Sequence, residues 1–121
     1  MTGEVNSNLE AIIKVVLRRS DGGLVRVDAA IDTGFSDYLT LPSEVIESLN
    51  LAYYETYSMV VADQSIVSMR VYEADVLWDG HPRTIFVHES EGFPLVGMLL
   101  MEGYVLTVEA VDGGAVRLEP L

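Results

Sequence analysis

Residues 27–42 read Val-Asp-Ala-Ala-Ile-Asp-Thr-Gly-Phe-Ser-Asp-Tyr-Leu-Thr-Leu-Pro. A short apolar run ends at Ile31, and Asp32 then stands directly before Thr33 and Gly34. Because Asp and Gly favour turns, one interpretation is an ordinary turn at the end of a strand. The other is a strand end that presents a carboxylate for acid–base chemistry, with a glycine that lets the backbone turn sharply.

The segments on either side of this stretch predict an all-β chain. Two runs rich in Val, Ile and Leu, residues 9–17 and 24–31, flank Ser20-Asp21-Gly22-Gly23, which predicts a hairpin. Pro42 at the first helical position, followed by Val45, Ile46 and Leu49, predicts a short helix. Further strands are predicted over residues 38–41, 53–61, 66–77, 84–87, 104–111 and 115–118, with a hairpin turn over residues 78–81. We therefore expect one domain over residues 1–121, a small closed barrel-like sheet with one or two short helices.

The composition excludes several classes of function. Seven basic residues against nineteen acidic ones give a net charge of −12, which argues against nucleic acid and anionic membranes as partners. The lack of cysteine excludes disulfides and thiolate metal sites and favours a cytoplasmic protein. His81 and His88 are too few for most zinc sites, so we expect no metal and no cofactor. We expect His81 at a turn, His88 on the surface, and neither a signal peptide nor a membrane span.

Three features together resemble the retroviral-type, retropepsin-like single-domain aspartic proteases of clan AA, which include small prokaryotic members. The first is Asp32-Thr33-Gly34 at the end of a strand. The second is a later hairpin with the tip Ala62-Asp63-Gln64-Ser65, where that family places its substrate-covering flap. The third is Pro94-Leu95-Val96-Gly97-Met98-Leu99-Leu100, similar to the family's apolar-apolar-Gly segment and short helix. In that family the third segment passes beside the catalytic loop in a ψ-shaped crossing.

The resemblance implies an aspartic endopeptidase that acts as a homodimer on peptides or proteins. Hydrolysis by this route needs two carboxylates that share one proton, and aspartic proteases are the standard example of such a pair. The chain has one Asp-Thr-Gly, so the second Asp32 must come from a second chain across a two-fold axis. Half of the residues are hydrophobic, which leaves apolar surface for such an interface.

The resemblance also implies roles for the residues around Asp32. Thr33 is suited to bridging the two loops across the axis, and Gly34 to offering its carbonyl oxygen to an extended substrate. The flap that closes over the peptide would consist of Ala62, Asp63 and Gln64. Asp37 either contacts substrate near the catalytic loop or is a solvated loop acid.

The chain departs from the family at three places. Phe35 stands where the family usually has Ala or Ser, and Gln64 stands at the flap tip where glycine is common. The start of the short helix, Met98-Leu99-Leu100, lacks the polar or basic residue often found there. We therefore expect that helix to lose its tie to the active-site loop, and we expect Met98 and Met101 in the core.

Two other functions stay open from the sequence. Phe35 and Gln64 favour a catalytically inactive, dimeric peptide-binding module on the same fold, since a fold does not guarantee activity. An unrelated small β-barrel that binds an apolar ligand would make Asp32-Thr33-Gly34 a coincidence.

Overall fold

Ten β-strands and two short helices make up the computed structural model, which describes all residues from 1 to 121. The helices are α1 (Ser43–Leu49) and α2 (Met98–Met101). The strands are β1 (Thr2–Val5), β2 (Ala11–Arg18), β3 (Leu24–Ile31), β4 (Leu39–Leu41), β5 (Ala52–Val60), β6 (Ile66–Trp78), β7 (His81–Glu89), β8 (Leu95–Val96), β9 (Tyr104–Val108) and β10 (Ala115–Pro120). Neither helix has the length and apolar character that a membrane span requires.

The ten strands form one sheet that closes on itself. Their order is β5-β6-β7-β4-β8-β3-β2-β1-β10-β9, and an additional pairing of β6 with β2 closes six of them into a ring. Strands β1, β10 and β9 continue the sheet beyond β2, so that β9 forms one edge and β5 the other. The predicted closed, barrel-like all-β fold with two short helices is therefore confirmed.

The core is a single cluster of buried apolar side chains. Along β2, Ile13, Val15 and Leu17 are at most 2% exposed, whereas Lys14 and Arg18 face solvent. This period of two is the alternation that a strand with one buried face shows. The sequence therefore determines which face of β2 is turned inward.

The predicted hairpin turn over residues 78–81 is also confirmed. Asp79 and Gly80 have φ values of 53° and 79°. A type I′ turn requires positive φ at both central residues, and Asp-Gly is one of the dipeptides that tolerate it. The turn joins β6 to β7, whose register pairs Trp78 with His81.

Two predicted strand boundaries are wrong for local reasons. Leu9 lies outside β2, at φ 59°, because the Asn6 side-chain oxygen accepts hydrogen bonds from two following amides and holds a turn there. β9 ends at Val108 instead of continuing to residue 111, because the Val111 amide donates to the Glu109 carbonyl and turns the chain. Both segments have strand-like composition, and side-chain or short-range backbone hydrogen bonds override it.

Helix α1 begins one residue later than predicted. Pro42 occupies the N-cap position, where its carbonyl oxygen accepts the amides of Val45 and Ile46. Ser43 then begins the helix, and Glu91 accepts hydrogen bonds from both its amide and its hydroxyl, at 3.1 and 2.7 Å. These bonds hold the pKa of Glu91 below its ordinary value. The Glu91 carboxylate, distant in sequence, thus accepts a hydrogen bond from a helix N-terminal amide that has no partner within the helix.

Candidate active site

The loop over residues 32–38 joins β3 to β4, and strand β8 lies between these two strands. β8 is parallel to β3, with Val96 opposite Ile31, and antiparallel to β4, with Val96 opposite Leu39. The loop must therefore cross the end of β8. Asp32 lies at this crossing, since its amide donates to the Val96 carbonyl at 2.9 Å.

Asp32 begins a tight turn that leaves Thr33 and Gly34 exposed. Its Oδ1 accepts the Gly34 amide at 2.9 Å, and its backbone carbonyl accepts the Phe35 amide at 3.1 Å. A carboxylate that accepts a hydrogen bond from an amide two residues later is a common turn-forming arrangement of Asp. The half-buried Asp32 carboxylate is therefore held by the backbone at the surface of the sheet. The structure places these three predicted site residues together.

Gly97 marks the closest approach between the loop and the segment that it crosses. Its amide donates to the Tyr38 carbonyl at 2.9 Å. A Cβ atom on Gly97 would lie 2.1 Å from the Asp37 carbonyl oxygen and 2.6 Å from the Phe35 ring. Such a distance from a backbone oxygen is a steric clash, so only glycine lets the two backbones come this close. The glycine of the apolar-apolar-Gly pattern is thus required for steric reasons.

Helix α2 stays tied to the loop over residues 32–38, so the predicted loss of this tie is wrong. The amide of Met98 donates to the Phe35 carbonyl at 2.8 Å, and that of Leu99 donates to the Asp37 carbonyl at 3.2 Å. The first amides of a helix have no partner within it, so they are available to the loop whatever side chains the helix carries. Met101 is buried as predicted, whereas Met98 is 49% exposed and its predicted place in the core is wrong. The start of α2 lies at the surface beside the loop.

His88 is buried behind the loop over residues 32–38, and its predicted place on the surface is wrong. Its imidazole is 7% exposed, and its Nε2 lies 3.3 Å from Oδ2 of Asp37. The rings of Phe35 and Tyr57 both meet the imidazole edge-on, with ring centroids 6.0 Å away. Strand alternation does not predict this burial. Because His88 follows the inward-facing Val87, it belongs to the outer face of the ring. The loop and β5 cover that face here.

Asp37 connects the loop to β7. Besides its contact with His88, it accepts the amide of Tyr38 through Oδ1 at 2.9 Å. Phe35 packs in the same place, against His88 and close to Gly97. Phe35 and Asp37 thus stabilise the crossing from the later part of the loop, whereas Asp32 contacts it at the start. No group of three or more His, Asp or Glu side chains is placed where it could hold a metal ion.

The flap candidates Ala62, Asp63 and Gln64 form the exposed tip of the β5–β6 hairpin. The Gln64 amide donates to the Val61 carbonyl at 2.8 Å, and the Val61 amide donates to the Ser65 carbonyl at 3.0 Å. Hydrogen bonds from the hydroxyl and amide of Ser65 lower the pKa of Asp63. No hydrogen bond links this tip to the Asp32 turn. The two groups of predicted site residues therefore lie on separate elements.

Gln64 has φ 67°, in the left-handed region that the third residue of such a hairpin loop requires. This backbone costs a residue with a Cβ about 1 kcal/mol or more, and glycine much less. We expect Gln64→Gly to raise the free energy of unfolding in urea by about 0.5 kcal/mol, after the greater freedom of glycine in the unfolded chain is counted. Gln64→Ala, which keeps the Cβ, is the control and should bring no gain. Equal effects of the two substitutions would contradict this explanation.

An apolar recess of about 450 Å³ opens beside the Asp32 turn. Asp32 and Thr33 form part of its wall, and nine of its twelve lining residues are hydrophobic. Strand β9 contributes Leu106 and Val108 and has no partner strand on its outer edge. The surface next to the candidate catalytic turn is thus apolar and ends at an unpaired strand edge.

Comparison with solved structures finds a likeness to the crystal structure of a retropepsin-like aspartic protease from Rickettsia conorii. The TM-score is 0.63 at 18% sequence identity, and the match covers 98% of this chain and 87% of that one. No protein-family model and no curated protein sequence matches the chain. The chain therefore has the retropepsin-like fold, as its sequence suggested, and the alternative of an unrelated β-barrel is wrong.

Proposed function

We propose that this chain is an aspartic endopeptidase that acts as a homodimer, with Asp32 of each subunit at a shared site. The observation that carries the proposal is the position of Asp32 at the ψ-shaped crossing of a retropepsin-like fold. The Gly34 amide holds the carboxylate there, with Thr33 and Gly34 exposed beside it. A fold alone assigns no activity, so the argument depends on what this carboxylate can do.

The chemistry requires two such carboxylates. One Asp32 takes a proton from a water molecule as the water oxygen attacks the carbonyl carbon of the scissile peptide bond. The protonated Asp32 of the second copy donates its proton to the carbonyl oxygen. Two carboxylates about 3 Å apart share one proton, because both cannot ionise at that distance. Since each chain has one Asp-Thr-Gly, a second copy has to complete the pair.

The surface around the turn supports a second copy as its partner. Covering the apolar recess beside Asp32 and Thr33 would remove apolar surface from water, which favours association. The negative net charge of each chain opposes dimerisation, because a dimer would carry −24 (2 × −12). Added salt screens this repulsion between the two chains, so the dimer should be tighter at high ionic strength.

The neighbouring residues would then serve the peptide. Thr33, small and hydroxylated, would bridge the two turns across the axis, and the carbonyl of Gly34 would accept a hydrogen bond from an extended substrate. The flap tips, Ala62, Asp63 and Gln64 of each subunit, would close over the peptide and exclude bulk water. The cytoplasmic location stays a prediction that rests on the lack of cysteine.

Cleavage of a mixed peptide library at several protein concentrations tests the proposal. We expect the rate per mole of chain to rise with concentration until dimerisation is complete, and added salt to raise activity at low concentration. A statine-type inhibitor, which mimics the tetrahedral intermediate, should abolish the cleavage. A rate strictly proportional to concentration from a protein that sediments as a monomer would contradict the proposal.

The inactive peptide-binding module predicts a different result. A dimer that binds library peptides, cleaves none of them at any pH from mildly acidic to neutral, and does not bind the statine-type inhibitor would favour it.

A further inference from the structure

A second recess, with a volume of about 290 Å³, lies between the active-site loop and the base of the β5–β6 hairpin. It contains carboxylates and aromatic rings but no Lys or Arg. We call it the acidic recess, and its main lining residues are Asp37, Tyr54, Glu55, Tyr57, Phe86 and His88. Asp37 comes from the loop that begins at Asp32, and Tyr57 comes from the strand that leads to the flap tip. A peptide held at Asp32 under the flap would therefore pass beside it.

Neither carboxylate of the recess has a Lys or Arg partner in the chain. No Lys or Arg forms an ion pair with Asp37 or with Glu55. Burial raises the pKa of the Tyr57 hydroxyl, and the charges of Asp37 and Glu55 raise it further. Both negative charges therefore act at the same phenol, which stays protonated. The recess thus concentrates negative charge that no Lys or Arg of the chain pairs with.

His88 is the most buried polar residue of the recess. The imidazole of His88 is 7% exposed, and its Nε2 lies 3.3 Å from Oδ2 of Asp37. Its Nδ1 is also buried and has no hydrogen-bond partner. The contact with His88 holds the Asp37 carboxylate at the wall of the recess, where a ligand can reach it.

Aromatic rings form the other walls. The rings of Tyr54 and Phe86 lie 4.6 Å apart at an angle of 43°. The register of β5 against β6 shifts between Tyr53 and Glu55, which makes a β-bulge there. The bulge interrupts strand alternation, so the sequence neighbours Tyr54 and Glu55 both line the recess. Aromatic faces next to carboxylates attract a cation, and a planar guanidinium can also stack on them.

We propose that the acidic recess binds a basic side chain of the peptide substrate, preferably arginine, and that Glu55 and Asp37 determine this specificity. The proposal rests on the proposed function, because it concerns the side chains of the peptide that Asp32 would cleave. Arginine fits better than lysine, since its five donors can serve both carboxylates and the phenol oxygen together.

A binding experiment tests the recess without requiring cleavage. The probe is N-acetyl-arginine N-methylamide, and the matched neutral probe is the same derivative of citrulline. The chain has two histidines, so the imidazole signals of His88 report on the recess in NMR spectra, and the exposed His81 serves as an internal reference. We expect the arginine probe to shift the His88 signals with an affinity about tenfold higher than the citrulline probe. The His81 signals should stay unchanged.

Glu55→Gln and Glu73→Gln form a matched pair of variants, because both remove one exposed negative charge and only Glu55 lines the acidic recess. We expect Glu55→Gln to weaken binding of the arginine probe about fivefold, and Glu73→Gln to change it by less than about twofold. Equal His88 shifts with the two probes, or equal losses in the two variants, would overturn the proposal.

Cleavage then shows whether the recess selects substrates. Peptides that differ only by arginine or citrulline at one position should differ about tenfold in kcat/KM, mainly through KM, and Glu55→Gln should reduce this preference to about twofold. If no peptide is cleaved at all, the proposed function fails, while the NMR titration still decides whether the recess binds arginine.

Discussion

Asp32→Asn should lower kcat/KM for the best library peptide by a factor of at least about 10⁴, because it removes the acid and the base of every dimer together. The variant should fold normally, since the side-chain oxygen of Asn can accept the same Gly34 amide that Asp32 accepts at 2.9 Å. The measurement is peptide hydrolysis, with circular dichroism and sedimentation to establish that fold and assembly are unchanged.

Asp28→Asn is the matched control for this substitution. Asp28 lies on β3, the strand that leads to Asp32, is exposed, and forms a surface ion pair with Lys14 at 2.9 Å. Such pairs contribute little to stability, so we expect activity within about twofold of the unchanged protein. Full activity in Asp32→Asn would show that a different group performs the hydrolysis.

Mixing chains extends the same test to the assembly. When an excess of the Asp32→Asn chain is added to the active protein, mixed dimers form that contain one carboxylate. We expect activity to fall as the mixed dimers replace the active ones, because one Asp32 cannot serve as both acid and base. No loss of activity after subunit exchange would contradict a site shared between two chains.

Gly97→Ala should have the largest effect on stability, a loss of about 3 kcal/mol in the free energy of unfolding. The added Cβ would lie 2.1 Å from the Asp37 carbonyl oxygen, and neither backbone can move without breaking hydrogen bonds of the crossing. Because the crossing also positions Asp32, activity should be lost even at temperatures where the variant stays folded. Urea unfolding and peptide hydrolysis measure the two effects.

Gly23→Ala is the control for the added methyl group. Gly23 has an ordinary φ, and the nearest atoms to its Cβ would belong to the flexible Arg19 guanidinium, 2.6 Å away. The guanidinium can move aside, so the loss should be below about 1 kcal/mol. If the two glycines proved equally tolerant of alanine, the close approach at Gly97 would not be the reason for its glycine.

Much of the fold and part of the candidate site could be predicted from the sequence because they depend on local preferences. Two runs rich in Val, Ile and Leu around Ser20-Asp21-Gly22-Gly23 predicted the β2–β3 hairpin, and Asp-Gly predicted the hairpin turn before His81. The resemblance predicted that Gly97 lies beside the loop that begins at Asp32. Failures of local prediction, such as Leu9, come from competing hydrogen bonds of equally short range.

The tertiary structure decided what covers each surface. Local alternation assigns His88 to the outer face of β7, but Phe35 and Tyr57, remote in sequence, cover that face and bury it. The apolar start of α2 gave no sign that its backbone amides would bind the loop. The acidic recess likewise depends on three separate elements and a bulge in β5.

By itself, then, the sequence determined where the strands, the turns and the Asp32 carboxylate lie along the chain, because backbone preference and alternation act between near neighbours. Only the tertiary structure decided that β6 closes the ring on β2, that His88 is buried, and that Glu55 lies beside Asp37. These features arise from contacts between residues distant in sequence, whose positions depend on how the whole sheet twists and closes.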